Sequence, residues 1–210
     1  VQAQTYPNIV HVVVDNCSTD ATPEIIRKFQ GRRVPLIVAR NPSTVPMNAN
    51  FNRAVELAPS DCTYFRVLCA DDLMMPEAVD RIVALMERDP EIGIVASAET
   101  DGKWSLWPPG EIFDGRDCAA AFLRGDISAS FGQAMFRRKF YAERAPQFFD
   151  PVLNGMDMDA ALDVMLRGKA GYLHEPQVLT RLHESTATAS QIAPSSSSAS
   201  PSRATCRPPA

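Results

Sequence analysis

The sequence has no Cys-x-x-Cys pair and no cysteine–histidine spacing of the kind that binds a metal. Its five cysteines, Cys17, Cys62, Cys69, Cys118 and Cys206, are an odd count scattered through apolar and loop contexts, which suits reduced thiols and a cytoplasmic protein, or one peripheral at the inner face of the membrane. No G-x-G-x-x-G follows a strand, and no glycine-rich phosphate loop with basic residues stands near the start. Those two absences disfavour a Rossmann dehydrogenase and a nucleotidyltransferase. No apolar run approaches the roughly 18 residues of a membrane helix, so no integral membrane segment is expected. Positive charge is not in excess either: the net charge of −4 gives no reason to expect nucleic acid as a partner. What remains is a globular composition, 45% hydrophobic and 22% charged, in a chain of 210 residues. That length suits one sizeable domain, or a domain with a tail.

Hydrophobic patterning supplies the order of elements. Ile9 to Val14 is β-branched and nearly continuous, as a strand buried on both faces reads. It ends in the polar run Asp15-Asn16-Cys17-Ser18-Thr19-Asp20. Thr22-Pro23-Glu24 then opens a helix whose apolar face is Ile25, Ile26 and Phe29. Val34 to Ala39 predicts a second strand, and Asn48 to Leu57 a helix with Phe51, Ala54, Val55 and Ala58 on one side. Pro76 to Arg88 carries Val79, Ile82, Val83 and Met86 at helical spacing, and Asp89-Pro90 stops it. Ile92 to Ser97 is another buried strand. Strand and helix therefore alternate through Ser97, the pattern of an α/β domain with a mostly parallel sheet and helices on both faces.

The second half is less regular. Helices are expected over Asp114 to Arg124 and Asp157 to Arg167, and short strands over Gln133 to Arg137, Tyr172-Leu173 and Val178 to Leu182. From about Ser185 onward Ser, Ala, Thr and Pro dominate. Such a composition cannot bury enough apolar surface to fold, so a disordered tail over 185–210 is expected behind a folded domain over 1–184.

The chain is organised around Tyr64-Phe65-Arg66-Val67-Leu68-Cys69-Ala70-Asp71-Asp72. Val67 and Leu68 suit a buried strand, so the two acids stand where that strand leaves the sheet, the place where open α/β sheets bind ligands. Two carboxylates with no Lys or Arg right beside them can hold a divalent cation, Mg²⁺ or Mn²⁺. The competing reading makes Asp71 and Asp72 caps of the helix that Pro76 and Glu77 introduce.

Four motifs, in order, and a fifth that closes the run carry a resemblance. Val13-Val14-Asp15-Asn16-Cys17-Ser18-Thr19-Asp20-Ala21-Thr22 looks like the run "VVDDGSTDGT". Asn50-Phe51-Asn52-Arg53-Ala54 is similar to an "N-x-N-R-A" helix start, and Leu68-Cys69-Ala70-Asp71-Asp72 to a metal motif "L-D/C-A-D-D". Met156-Asp157 precedes Gly168-Lys169-Ala170-Gly171-Tyr172-Leu173 as "E-D" precedes "R-G-x-x-x-Y-L", and Arg181-Leu182-His183 resembles a closing "Y-R-x-H". Over roughly residues 8 to 188 the chain resembles the family-two inverting glycosyltransferases of the GT-A, Rossmann-like fold.

The resemblance implies transfer of a sugar from a nucleotide-diphosphate donor, UDP- or dTDP-linked, to a hydroxyl of a glycan, lipid or protein acceptor, with inversion. It implies Asp71 as metal ligand with Asp72 beside it, and His183 near the metal or diphosphate. It implies a nucleotide pocket including Asp15, Asn16, Ser18, Asn50, Ala70 and Asp71. Asp157 is implied as the general base, with Asp159 and Asp163 as rivals. Each has an alternative: Asp15 as a helix cap, Asp157 as a complement to a helix dipole, His183 as a structural or solvated side chain. Trp104 and Trp107 suit sugar stacking or packing equally.

The chain departs from the pattern in three places. Cys69 stands where many relatives carry an acid, and a thiol lacks that acid's two acceptors. Met156 replaces another acid. The first strand, "P-x-V-S-V-I-I-P-x-Y-N", has no counterpart, so an N-terminally truncated domain is expected. The alternative function is then an inactive fragment or relative acting as a nucleotide-binding or interaction module.

Overall fold

Two parallel strands open the fold, β1 (His11–Asp15) and β2 (Leu36–Arg40), in register from His11 beside Leu36 to Asp15 beside Arg40. The computed structural model describes residues 1–99, 106–128, 134–144 and 147–181. Between β1 and β2 lies the short helix α1 (Thr22–Arg27), with its proline in the first turn as expected. Its expected apolar face is not buried: Ile25 is 50% and Phe29 47% exposed. Six residues are too few to bring that face down onto a ladder of two strands. Helix α2 (Met47–Glu56) follows and buries Asn52 and Val55.

The second sheet runs in the order β3 (Tyr64–Arg66), β7 (Met135–Arg137), β5 (Ile92–Glu99), β8 (Lys169–Leu179), β4 (Leu73–Met74), with β6 (Ile112–Asp114) pairing the start of β8. The expectation of a mostly parallel sheet is corrected here. Among the described residues β1–β2 and β5–β8 are parallel, while β3–β7, β5–β7, β4–β8 and β6–β8 are antiparallel. The antiparallel strands β4, β6 and β7 are two or three residues long, too short to show a period of two. Tyr172-Leu173 and Val178-Leu179, expected in separate strands, belong to one strand, β8, which carries a register shift after Ser97; the expected strand stops at Leu179, and Leu182 lies outside the described residues. No ladder among the described residues joins β1 to β3.

Alternation along the strands sends residues to opposite faces. Phe65, Ile94, Ala96, Phe136 and Tyr172 enter one apolar cluster with α4 (Gly115–Arg124) and α6 (Met156–Arg167). Val95, Met135 and Leu173 enter the other with α3 (Ala78–Glu87), whose Val79, Ile82, Val83 and Met86 point inward as their spacing predicts. The short helix α5 (Lys139–Ala142) adds Phe140. At the centre of the first cluster, Phe148 meets Phe65 and Phe136 edge-on with ring centroids 4.9 Å apart in each case. Trp107 lies flat on Tyr172 at 4.5 Å and donates Nε1–H to the Ser128 carbonyl, so it is a packing residue. Trp104, residues 129–132 and the tail 185–210 lie outside the described residues.

The first residues work as a clasp. Gln2 exchanges two hydrogen bonds with the Val34 backbone. Gln4 is buried; it donates to the Met75 carbonyl and accepts the Val79 N–H. That second bond satisfies an amide of the first turn of α3, a turn whose own cap residue, Glu77, makes no side-chain cap bond.

Candidate functional site

β3, β5 and β8 run in one direction, because β7 is antiparallel to both β3 and β5. The chain leaving β3 delivers Cys69, Ala70, Asp71 and Asp72 at the carboxyl edge of this sheet. A turn bond from Asp72 N–H to the Cys69 carbonyl, 3.1 Å, shapes the segment. The acids are separated from α3 by β4 and Pro76, so they do not cap that helix, and the capping alternative falls.

Cys69 Sγ and one oxygen from each of Asp71 and Asp72 lie within 4.8 Å of one another. That donor set fits a divalent cation: two carboxylates supply hard oxygen ligands, and the third member stays a thiol. Burial pushes the Cys69 thiol up to about 11, and the charges of Asp72, Asp71 and Asp157 push the same way. Cys69 is therefore neutral at pH 7.

The coupling to Asp157 also locates α6. This helix turns directly into β8 through Gly168, so its first turn comes back to the edge where the acids stand. Among the described residues no hydrogen bond or ion pair holds the Asp157 side chain. Its rivals are engaged: Asp159 pairs with Arg144, and Asp163 with Arg144 at 3.3 Å and with Arg167.

The nucleotide candidates split into two groups. Asp71 and Ala70 belong to the acid turn. Asp15, Asn16, Ser18 and Asn50 form a polar cluster at the ends of β1 and β2. Asp15 is 5% exposed; it accepts the Ser18 N–H at 2.9 Å and Arg40 Nη1 at 2.8 Å, and does not cap α1. The Ser18 hydrogen bonds chiefly, and then Arg40, hold its carboxyl below the usual range against the effect of burial. Asn16 clasps Val45 in both directions, at 2.9 and 3.0 Å.

Asn41, which the motifs did not single out, ties this cluster together. It is 1% exposed, donates to Asn16 Oδ1 and Asn50 Oδ1 at 2.8 Å each, and accepts Arg53 Nη1 at 2.5 Å. The one local signal for it was an amide directly after a strand. Cys17 adopts a left-handed backbone, φ 65°, at the position where the resembling run has glycine. His11 is half-buried, and burial lowers its pKa. His183 lies outside the described residues.

A cavity of about 570 Å³ lies elsewhere, at the opposite sheet edge where α6 ends and β8 begins. Two of its cations are held by neighbouring groups: Lys169 by Asp89 and Glu91, Arg167 by Glu143 and Asp163.

A mixed sheet with helices on both faces, its acids at the carboxyl edge, is the architecture of the GT-A glycosyltransferases. Among solved structures, TarS of S. aureus superposes with a TM-score of 0.67 at 15% identity, over 85% of this chain and 53% of that one. A UDP complex of the same protein gives 0.66 at 16% identity, over 87% of this chain and 54% of that one. A mannosyltransferase of Pyrobaculum calidifontis, solved with GDP-Man and Mn²⁺, gives 0.59 at 19% identity, over 84% and 49%. An uncharacterized glycosyltransferase of Methanocaldococcus jannaschii is 28% identical over 86 residues, 41% of this chain and 29% of that protein. The chain thus spans about half the length of the similar structures and less of the curated relative. The model of glycosyl transferase family 2 matches residues 1–144, and the chain belongs to that family. No helix among the described residues is long and apolar enough to cross a membrane.

Proposed function

We propose that the domain transfers a sugar from a nucleoside-diphosphate donor, UDP- or dTDP-linked, to an acceptor hydroxyl with inversion. The observation that carries this reading is the cluster of Cys69, Asp71 and Asp72 at the carboxyl edge of the sheet, within electrostatic reach of Asp157, in a chain of this family. Asp71 and Asp72 hold a divalent cation, which supplies charge neutralisation for the departing diphosphate. The nucleoside lies toward the Asp15–Asn16–Ser18 loop, whose shape Arg40, Asn41 and Asn50 maintain. Asp15, fixed by Ser18 and Arg40, offers its carboxylate as an acceptor to the base or ribose.

Asp157 takes the proton of the acceptor hydroxyl. The acceptor oxygen then bonds to the anomeric carbon from the face opposite the diphosphate, whose oxygen leaves with the electron pair. Asp159 and Asp163 are spent on Arg144 and Arg167, which favours Asp157 for this role.

The test is calorimetric titration of UDP and dTDP with and without Mn²⁺, with Asp71→Asn as control and a thermal melt of each chain. Saturable binding that requires Mn²⁺ and disappears in a folded Asp71→Asn chain is expected. A folded wild-type chain that binds neither nucleotide refutes the donor site. Mn²⁺-dependent binding with no turnover of any nucleotide sugar favours the binding-module alternative.

A further inference from the structure

Arg66 ends β3, three residues before Cys69. The residue as a whole is half-buried, yet all three guanidinium nitrogens are closed to water and none has a hydrogen-bond partner among the described residues. Arg137, on the neighbouring strand, shows how this fold satisfies a buried guanidinium. It donates to the carbonyls of Ile92, Met86 and Asp89 at 2.8, 2.6 and 3.1 Å, and to the Tyr64 hydroxyl at 3.2 Å. A guanidinium has five N–H donors and no acceptor, so leaving it dry and unpaired is costly. Burial draws the Arg66 pKa down to about 10, and the negative charge of Asp72 acts in the opposite direction. Arg66 is therefore still a cation at pH 7, held in the field of the acid turn without a bond to it.

We propose that Arg66 is a donor-binding residue whose guanidinium takes a phosphate oxygen of the nucleotide diphosphate beside Asp71 and Asp72. This deepens the donor-site reading and rests on it. A divalent cation held by Asp71 and Asp72 would neutralise only part of the diphosphate's charge, because the two carboxylates also draw on it. Arg66 supplies the missing cation, in a planar fork that matches two phosphate oxygens. Its long stem has several rotatable bonds, through which the guanidinium swings to the phosphate. The unpaired state in the free protein is what binding relieves.

The test compares UDP and dTDP with their nucleosides, uridine and thymidine, by calorimetry in Mn²⁺. The chains are wild type, Arg66→Met and Arg66→Lys, each also melted without ligand. Arg66→Met is expected to lose about 10–100-fold in diphosphate affinity, the range of a hydrogen bond to a charged group. Nucleoside affinity stays unchanged, and the melting temperature of the free protein is unchanged or higher, because an unpaired buried charge has gone. Arg66→Lys, which keeps the charge and loses the fork, falls between. Wild-type diphosphate affinity in Arg66→Met overturns the assignment of Arg66 alone. Equal losses for nucleoside and diphosphate with a lowered melt also overturn it, since that marks a structural residue. If Arg66→Met does not fold, the same comparison in Arg66→Lys decides. A wild-type chain that binds no nucleotide overturns the donor-site reading itself, and this assignment with it.

Discussion

Replacing Asn52 by alanine is expected to destabilise the domain and to slow transfer more than it weakens donor binding. Asn52 is 3% exposed on the inner side of α2. Its Nδ2 donates to the Phe149 carbonyl at 2.7 Å, and its Oδ1 accepts the Phe149 N–H at 2.8 Å. One turn earlier on the same face, Asn48 donates to the Asp150 carbonyl at 3.1 Å. This amide pair docks onto α2 the segment that leads to Gly155 and Asp157. Alanine removes both partners and leaves a buried N–H and a buried C=O unsatisfied. Each costs about 1–3 kcal/mol, and water entering the vacated space brings the total toward about 2–4 kcal/mol. For a domain of this size that is a fall in Tm of roughly 5–15 °C. Asn52→Asp gives a second arm. It keeps the acceptor for Phe149 N–H but sets a carboxylate oxygen against the Phe149 carbonyl. Its protonated form can donate there, so the folded state raises its pKa. The deficit of Asn52→Asp then shrinks as pH falls through that raised value. Urea melts of both variants across pH measure this. An Asn52→Ala loss below about 0.5 kcal/mol, the noise of an ordinary surface substitution, refutes the clasp. So does an Asn52→Asp deficit that is flat in pH.

Asp157→Asn is expected to cut turnover by about 10²–10⁴-fold with nucleotide affinity and Tm intact, the signature of a lost general base. Asp159→Asn, which releases Arg144, shows a smaller turnover loss and a lower Tm; the reverse ranking refutes Asp157 as base. Cys17→Gly removes a side chain from a left-handed backbone and raises stability by up to about 1 kcal/mol in a denaturant melt. The pair Asp89–Lys169 sets a pH window. The Lys169 hydrogen bond lowers Asp89 from its ordinary 3.8, so its contribution is present above that value and lost as pH falls through the folded one. Asp89 raises Lys169 from its ordinary 10.5, so that contribution is present below 10.5 and lost as pH rises through the folded value. Lys169→Met therefore flattens both limbs of the stability–pH curve.

The sequence by itself determined the elements whose signal is local. α3 and β5 announce themselves by the spacing of their apolar side chains, and both lie within two residues of the expected bounds. The ordered motifs at Asp15, Asn50, Asp71 and Asp157 were enough to point to the family, because residue type and spacing are written along the chain. Tertiary structure alone decided which strands pair and in which direction. β4, β6 and β7 have too few residues to carry a period, and their partners β8 and β5 are supplied by distant parts of the chain. It also decided that the face of α1 stays open, that Gln4 serves as an amide partner for α3, and that Asn41 holds Asn16 and Asn50 together. Burial and hydrogen-bond partnership are properties of what packs around a residue. Arg137 and Arg66 are the same residue type on adjacent strands, and only the folded surroundings give one a partner at each nitrogen and leave the other without a hydrogen-bond partner among the described residues.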